Sequence, residues 1–376
     1  MQSYLTDETL QQRWITVRTG ALAGNVRALK AEVGAGSKLM AVVKANAYGH
    51  GAAATAPILR DAGAEWFGVT TLAEGLELVQ AGIESTRTPI LLFAPLVTLD
   101  QVEVAVRNSL HLTICDDSHL ALAKAAQVGE RKPSLHLKVD TGMGRFGLTP
   151  ADAIGVAGRW TDWAGVYTHM ARAGDDALGD ARRQLSKFTD FLAVCKRKGF
   201  QMGVRHCANS AAALRMPDSR LDMVRVGTAL YGQMPSEFVT RPEGLSAETF
   251  SAHAQVVFVR DLAAGDAVGY GSEFVAPKAM RAAVLPIGFA DGFGVAPSSL
   301  FGGMRGLKKL LADRDPSRRP FVTIRGHRAP VVGRVAMQTI VVDVSGIEPA
   351  AAIGDVAEIP MRRLSASPLI PRRYTP

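Results

Sequence analysis

Short runs of apolar and β-branched residues recur through the first two-thirds of the chain. They read LMAVVKA (39–45), EWFGVTT (65–71), PILLFAP (89–95), HLTICD (111–116), LHLKVD (135–140), WAGVYTHM (163–170), VRHCAN (204–209) and MVRVGTAL (223–230). Most of the intervening segments have helical periodicity. LAEGLELVQAG places Leu72, Leu76 and Leu78 on or near one face and ends on a glycine, and SHLALAKAAQVG repeats the pattern. Continuous apolar strands alternating with amphipathic helices specify a parallel sheet covered on both faces. Eight such units match the arithmetic of a closed (β/α)8 barrel. A doubly wound open sheet is the rival, weakened because no GxGxxG follows the first strand.

Beyond about residue 243 the texture changes. RPEGLSAET (241–249) reads as a linker. After it AHAQVVFVRDL, AAVLPIGFA, PFVTIRGHRAPVVGRV, TIVVDV and DVAEIP are strand-like runs broken by Gly, Pro and Asp, and helical pattern is confined to about 303–312. The expected fold is therefore α/β: a (β/α)8 TIM barrel over 12–243, then a mostly-β C-terminal domain over 244–376 that also takes residues 1–11.

Composition narrows the class. The 376 residues are 47% hydrophobic and 21% charged, an ordinary globular balance. The net charge of +8 is concentrated in 305–319 (Arg305, Lys308, Lys309, Arg314, Arg318, Arg319) and near the end (Arg362, Arg363, Arg372, Arg373). No aromatic residue is interleaved with either run, so solvated loops are expected rather than a nucleic-acid site. The three cysteines, Cys115, Cys195 and Cys207, show no metal spacing and read as reduced thiols. No secretory leader is visible at the N-terminus and no run approaches the ~18 apolar residues of a membrane span, so a soluble cytoplasmic protein is expected.

Barrel active sites lie at the C-terminal ends of the strands. Those ends carry Lys44, then Lys138 and Asp140 running into TGMGRFG with Arg145, then His169, Asn209-Ser210, and Arg225 leading to Gly227-Thr228. A lone lysine there reads first as a rim salt bridge. Lys44, however, follows a run that should be buried, and a desolvated lysine has a lowered pKa and becomes nucleophilic. CANSAA and RVGTALYG add hydroxyls and backbone donors where a phosphate could bind. A Schiff-base lysine opposite a phosphate cradle points to pyridoxal phosphate.

AVVKANAYGHG (41–51) resembles the cofactor-lysine signature of the alanine racemase family. KVDTGMGRFG, THMARAGD, HCANSAA, RVGTALYG, VGYGSEF, PIGFADGF, VVGRVAMQTIVVDV and PRRY follow in the family's order, from about residue 38 to 374. The resemblance implies a (β/α)8 barrel followed by a β domain, a head-to-tail homodimer, and a first strand near 13–17 that joins the β domain. It implies that Lys44 is the Schiff-base lysine and one acid/base group, and that Tyr270 is the opposing base, supplied by the partner subunit. Racemisation needs such a pair, one group for each face of the α-carbon. An unperturbed tyrosine titrates near ~10, so as a base it needs a cationic or hydrogen-bonded neighbour; His169 resembles the family histidine in contact with it.

By the same resemblance Arg225 faces the pyridine nitrogen, where it cannot accept a proton. Lys138 resembles the lysine the family often carries as a carbamate, with Arg145 held by it near the cofactor and the substrate carboxylate. A salt bridge from Lys138 to Asp140 or Asp175 is the plainer alternative. Tyr48, Asn209, Ser210, Gly227, Thr228 and Tyr374 map onto the cofactor site, chiefly its phosphate cradle, and Met337 onto the residue whose backbone N–H meets the substrate carboxylate. No metal is implied.

Four features depart from the family pattern. Gln338 stands where the family usually has Asp, and Phe289 where it has Tyr. Residues 294–319 look like a basic insertion, and 361–371 is short and without a helix. The expected activity is a racemase interconverting L- and D-alanine. The alternatives are a racemase of serine or a larger amino acid, or a degenerate cofactor-binding homologue; Tyr270 and Arg225 argue against a fold-related decarboxylase.

Overall fold

The computed structural model describes residues 8–295 and 319–376. Its first nine strands are β1 (Arg13–Arg18), β2 (Lys38–Val42), β3 (Trp66–Val69), β4 (Ile90–Leu92), β5 (His111–Ile114), β6 (Ser134–Lys138), β7 (Trp163–Tyr167), β8 (Val204–His206) and β9 (Met223–Val226). Strands β2 to β9 are the eight apolar runs of the sequence. They form one parallel sheet in the order β8-β7-β6-β5-β4-β3-β2-β9. The ring all but closes between β8 and β9, where Asp222 N donates to Arg205 O at 3.1 Å and Arg225 N to Ala208 O at 3.0 Å.

Met40, Trp66, Leu91, Tyr167 and Met223 pack inside the barrel with Phe93 and Val204. Gly68 makes this possible: a Cβ there would lie 2.4 Å from Phe93 Cζ. At the mouth, the helices begin on side-chain caps. Thr71, Thr98, Asp116, Thr149 and Asn209 each accept a backbone N–H in the first turn of the following helix. The strand-to-helix loops are thereby tied down where the candidate chemistry lies.

The chain divides into two compact units, Thr19–Thr249 and a second joining β1 to Phe250–Thr375. This corrects the expected boundaries at 12 and 243. Strand β1 pairs antiparallel with Phe250–Gln255 and parallel with Arg372–Thr375, so it is an interior strand of the nine-stranded sheet. Ile15 and Val17 are fully buried by that position. The runs expected as strands become Phe250–Gln255, Phe258–Leu262, Met280–Leu285, Phe321–Ile324, His327–Val332, Ile340–Asp343 and Val356–Ile359.

The strand Arg372–Thr375 is an addition, and it overturns the solvated-loop reading for Arg372 and Arg373 of the terminal basic run. The Arg373 guanidinium lies 3.8 Å from the centre of the Trp14 ring and donates to Gln11 Oε1. Arg372 donates to the carbonyls of Ser367, Pro368 and Ile370. These charges fold the end of the chain onto the sheet.

The helical pattern at 303–312, most of the 294–319 insertion and most of the 305–319 basic cluster lie outside the described residues. Among the described residues, no helix is long and apolar enough to cross a membrane and no group of side chains could hold a metal ion. Residues 361–371 contain a single 3-10 turn, Arg363–Ser365.

Candidate active site

Lys44 follows β2 and opens a backbone turn of unusual hand. Ala45, Asn46, Ala47 and Tyr48 all have φ between 52° and 55°, the left-handed region that non-glycine residues enter at a cost of about 1–2 kcal/mol each. Tertiary contacts hold them there. Ala45 N donates to Glu74 Oε1 at 2.7 Å and Ala52 N to Asn46 Oδ1 at 2.7 Å. The buried His50 ring bridges Ala47 O (3.0 Å) and Thr249 Oγ1 (2.9 Å). The rings of Tyr48 and His50 both stack on Tyr231, whose hydroxyl donates to Val42 O. Burial pushes the Lys44 amine below the usual lysine range; Arg145 adds to that push and Glu74 opposes it.

The turn opens on a cavity of about 310 Å³ at the C-terminal ends of the barrel strands. Lys44, Tyr48, Lys138, Arg145, His169, Asn209, Ser210, Arg225, Gly227 and Thr228 all line it, so the structure brings these expected residues together. No Asp or Glu is among the lining residues.

Arg225 is buried and donates to Thr168 O (2.7 Å) and Cys207 O (3.1 Å). Its Nη1 also donates to His206 Nδ1 at 2.9 Å. An arginine can only donate, so His206 Nδ1 accepts and its Nε2 carries the proton. That N–H points at His136 Nδ1, 3.2 Å away, and His136 Nε2 in turn at His111 Nδ1, 3.0 Å away. One guanidinium therefore sets the tautomer of three neutral histidines in series. Burial first keeps His206 and His136 well below the ordinary histidine range, joined next by Arg225 at His206 and by His111 and then Arg225 at His136. Burial alone brings His111 to about 4. His169, 3.4 Å from Arg225 Nη2, is lowered to about 2 by burial first and Arg225 next. It too is neutral.

Lys138 is buried, with its Nζ 4.3 Å from the centre of the Tyr167 ring. Burial, then Arg225, pull its pKa well below the lysine range. The salt bridges considered from sequence do not form. Asp140 accepts from the amides of Gly142, Met143 and Gly144, and Asp175 pairs with Arg172. Across the cavity Ser210 Oγ accepts from Gly227 N (3.1 Å) and Ala229 N (3.4 Å). A Cβ on Gly227 would sit 2.4 Å from the Tyr48 hydroxyl, so glycine keeps this corner open. Asn209 is occupied structurally, accepting from Ala212 N and donating to Met170 O.

Tyr270, Met337 and Tyr374 belong to the second unit. Tyr270 begins a 3-10 turn between Gly269 (φ 76°) and Gly271 (φ 67°) and is 74% exposed, and Met337 is 62% exposed. Sequence reasoning passed over Tyr167, Phe93 and Thr70, which line the cavity, and the histidine series behind Arg225. A signal existed: His136 and Lys138 stand two apart on a strand expected to be apolar on both faces, so both point into the barrel.

The chain's two halves match the alanine racemase N-terminal domain over residues 17–235 and the alanine racemase C-terminal domain over 249–367. The chain belongs to the alanine racemase family. It is 35% identical over 342 residues to the alanine racemase of Desulforamulus reducens, covering 89% of this chain and 86% of that one. The alanine racemase of Symbiobacterium thermophilum is 36% identical over 342 residues, covering 89% and 84%. Among solved structures, alanine racemase from D-cycloserine-producing Streptomyces lavendulae superposes with a TM-score of 0.79 at 31% identity, covering 97% of both chains. That from Bacillus anthracis with bound L-Ala-P gives 0.82 at 26% identity, covering 97% and 95%.

Alanine racemases depend on pyridoxal phosphate, and the cavity fits it. Four basic side chains, Lys44, Lys138, Arg145 and Arg225, line the cavity without a carboxylate among the lining residues, an arrangement complementary to a phosphorylated, anionic aldehyde. One of the four is an amine whose lowered pKa suits it to bond the aldehyde carbon.

Proposed function

We propose that Lys44 and Tyr270 are the two proton-transfer groups with which this chain, a pyridoxal-phosphate-dependent enzyme of alanine racemisation, interconverts L- and D-alanine. The observation that carries the assignment is the Lys44 amine, partly desolvated and set in a mouth lined by cations. Pyridoxal phosphate, when bound, acidifies the substrate α-proton by drawing electron density from the α-carbon. Lys44 would hold the cofactor and move a proton on one face. Tyr270, supplied by a second copy of the chain, would serve the other face; the exposure of Tyr270 and Met337 supports a homodimer.

Arg225 offers the ring nitrogen a permanent cation. Its nearest ring-nitrogen partners, His206 and His169, are neutral, so no acid stands behind it to supply a proton. Tyr48, Ser210, Gly227 and Thr228 would cradle the phosphate, with Asn209 shaping the helix start beneath it. Arg145 and the Met337 amide would take the substrate carboxylate. The amine of Lys138, shifted toward its neutral form by burial and flanked by Arg145 and Arg225, suits capture of carbon dioxide as a carbamate with loss of one proton. The unpaired cysteines agree with a reducing, cytoplasmic setting.

The test is α-proton exchange in D2O with L- and D-alanine, read by NMR and chiral analysis. Exchange with inversion is expected for the holoenzyme. Tyr270→Phe should keep cofactor binding and lose roughly 10²-fold or more in inversion. Exchange confined to serine or a larger amino acid would move the substrate. Inversion undiminished in Tyr270→Phe would remove the second base.

A further inference from the structure

One carboxylate ties together two loops of the barrel mouth. Glu74, in the first turn of the helix Leu72–Gln80, uses Oε2 to accept from the amides of Thr70 (2.8 Å) and Thr71 (3.0 Å). The Thr71 bond completes a capping box, and helix initiation asks no more of it. Its other oxygen reaches back 29 residues to the Ala45 amide at 2.7 Å. Ala45 follows Lys44 and is the first residue of the left-handed turn; Thr70 lines the cavity. The extra bond therefore joins the loop after β2 to the loop after the neighbouring strand β3, at the residue where the backbone changes hand.

We propose that Glu74 is a positioning residue for Lys44: its carboxylate anchors the backbone from which the lysine side chain springs and sets the field in which the amine titrates. The proposal rests on the reading that Lys44 carries the cofactor. A charged acceptor makes the Ala45 bond short and directional, which suits a turn whose conformation is unfavourable by itself. Lys138 and Arg225 line the same cavity, and the charges that act most on the amine are Arg145 and Glu74. Arg145, from the loop after β6, repels its protonated form; His169, after β7, is neutral; Glu74, from the helix after β3, attracts it. Without Glu74, burial and Arg145 would act unopposed.

The experiment uses cofactor-free full-length chain mixed with pyridoxal phosphate across a pH series. The rate of the absorbance change follows the neutral fraction of the Lys44 amine, so its midpoint reports that amine. Lys44→Ala should abolish the change; if it does not, the assignment of Lys44 fails, independently of Glu74. Glu74→Gln keeps one carbonyl that can accept from Ala45 and removes the charge, while its NH2 gives up the bonds from the Thr70 and Thr71 amides. It should move the midpoint down by roughly half to one pH unit. Glu74→Ala should show the same shift together with about a tenfold faster cofactor loss and faster hydrogen exchange at the Ala45 amide. Glu77→Gln, on the same helix, serves as the charge control and should leave the midpoint in place. An unmoved midpoint in Glu74→Gln, or unchanged Ala45 exchange in Glu74→Ala, overturns the proposal.

Discussion

Arg225 decides the protonation of the barrel interior. Because it donates to His206, the series His206–His136–His111 runs with every Nε2 protonated and every ring neutral. Protonating any of these rings would set two donors against each other inside a dry core. Folded, His111 titrates at about 4 and His169 at about 2, and His136 and His206 lie well below the ordinary value. Unfolded, all four titrate near ~6.5. The unfolded chain thus binds protons that the fold refuses. Their contribution to stability is full above about pH 6.5 and is lost as pH falls, with a limiting slope of about 1.4 kcal/mol per pH unit for each histidine. Urea unfolding between pH 7.5 and 5, above most carboxylate titration, should show stability declining through that window; a flat profile would contradict the neutral series.

Gly227 carries a second prediction at this scale. Its α-carbon faces the Tyr48 hydroxyl, and Tyr48 is braced by Tyr231. Gly227→Ala should fold with a thermal midpoint close to the parent and bind pyridoxal phosphate about tenfold or more weakly, as equilibrium titration would reveal.

At the scale of elements, the turn after β2 sets the aim of Lys44. Four left-handed residues in a row are unfavourable locally and persist because Glu74, His50, Asn46 and the stack on Tyr231 fix them from several sides. Glycine pays no such penalty in this region. Ala45→Gly should therefore be neutral or stabilising by up to about 1 kcal/mol, whereas Ala121→Gly, on the exposed face of the helix Asp117–Ala125, should cost about 1 kcal/mol. Chemical denaturation of the two variants compares them directly. Equal losses at both sites would mean that the turn is not strained.

Strand β1 comes first in sequence and sits inside the second unit's sheet. Besides its pairing on both edges, β1 brings Arg13 to the 286–292 turn. There the guanidinium donates to Pro286 O at 2.9 Å and meets the buried Asp291 carboxylate at 3.2 Å, while Asp291 also accepts from Gly288 N. Asp291→Asn should lower stability by about 2 kcal/mol, read as a shift in denaturation midpoint, because the partly buried Arg13 loses its counter-charge. Light scattering should return a homodimer for the full chain; a monomer that racemises alanine would refute a shared active site.

Much of this was legible in the residues. The eight barrel strands announce themselves as apolar runs at regular spacing, because a parallel strand covered on both faces needs almost no polar positions. The polar residues that interrupt those runs, Lys138, His169, Asn209 and Arg225, stand out for the same reason and do line one cavity. Arg372–Thr375 escaped notice because RRYT has no alternation; its strand exists through pairing with β1 and the Arg373–Trp14 contact, made from opposite ends of the chain.

By itself the sequence determined the barrel, the sheet domain that follows it, and the family to which both belong, because periodicity and ordered motifs are local properties. Only the tertiary structure decided the rest. It decided which strands flank β1, antiparallel Phe250–Gln255 and parallel Arg372–Thr375, since strand pairing is set by which edges meet. It decided that Lys138 has no carboxylate partner among the described residues and that Arg225 governs three histidines, since hydrogen bonds depend on atoms a few ångströms apart and many residues distant. It decided that one glutamate holds the turn beside Lys44, since the Glu74–Ala45 bond exists only once β2 and β3 lie side by side.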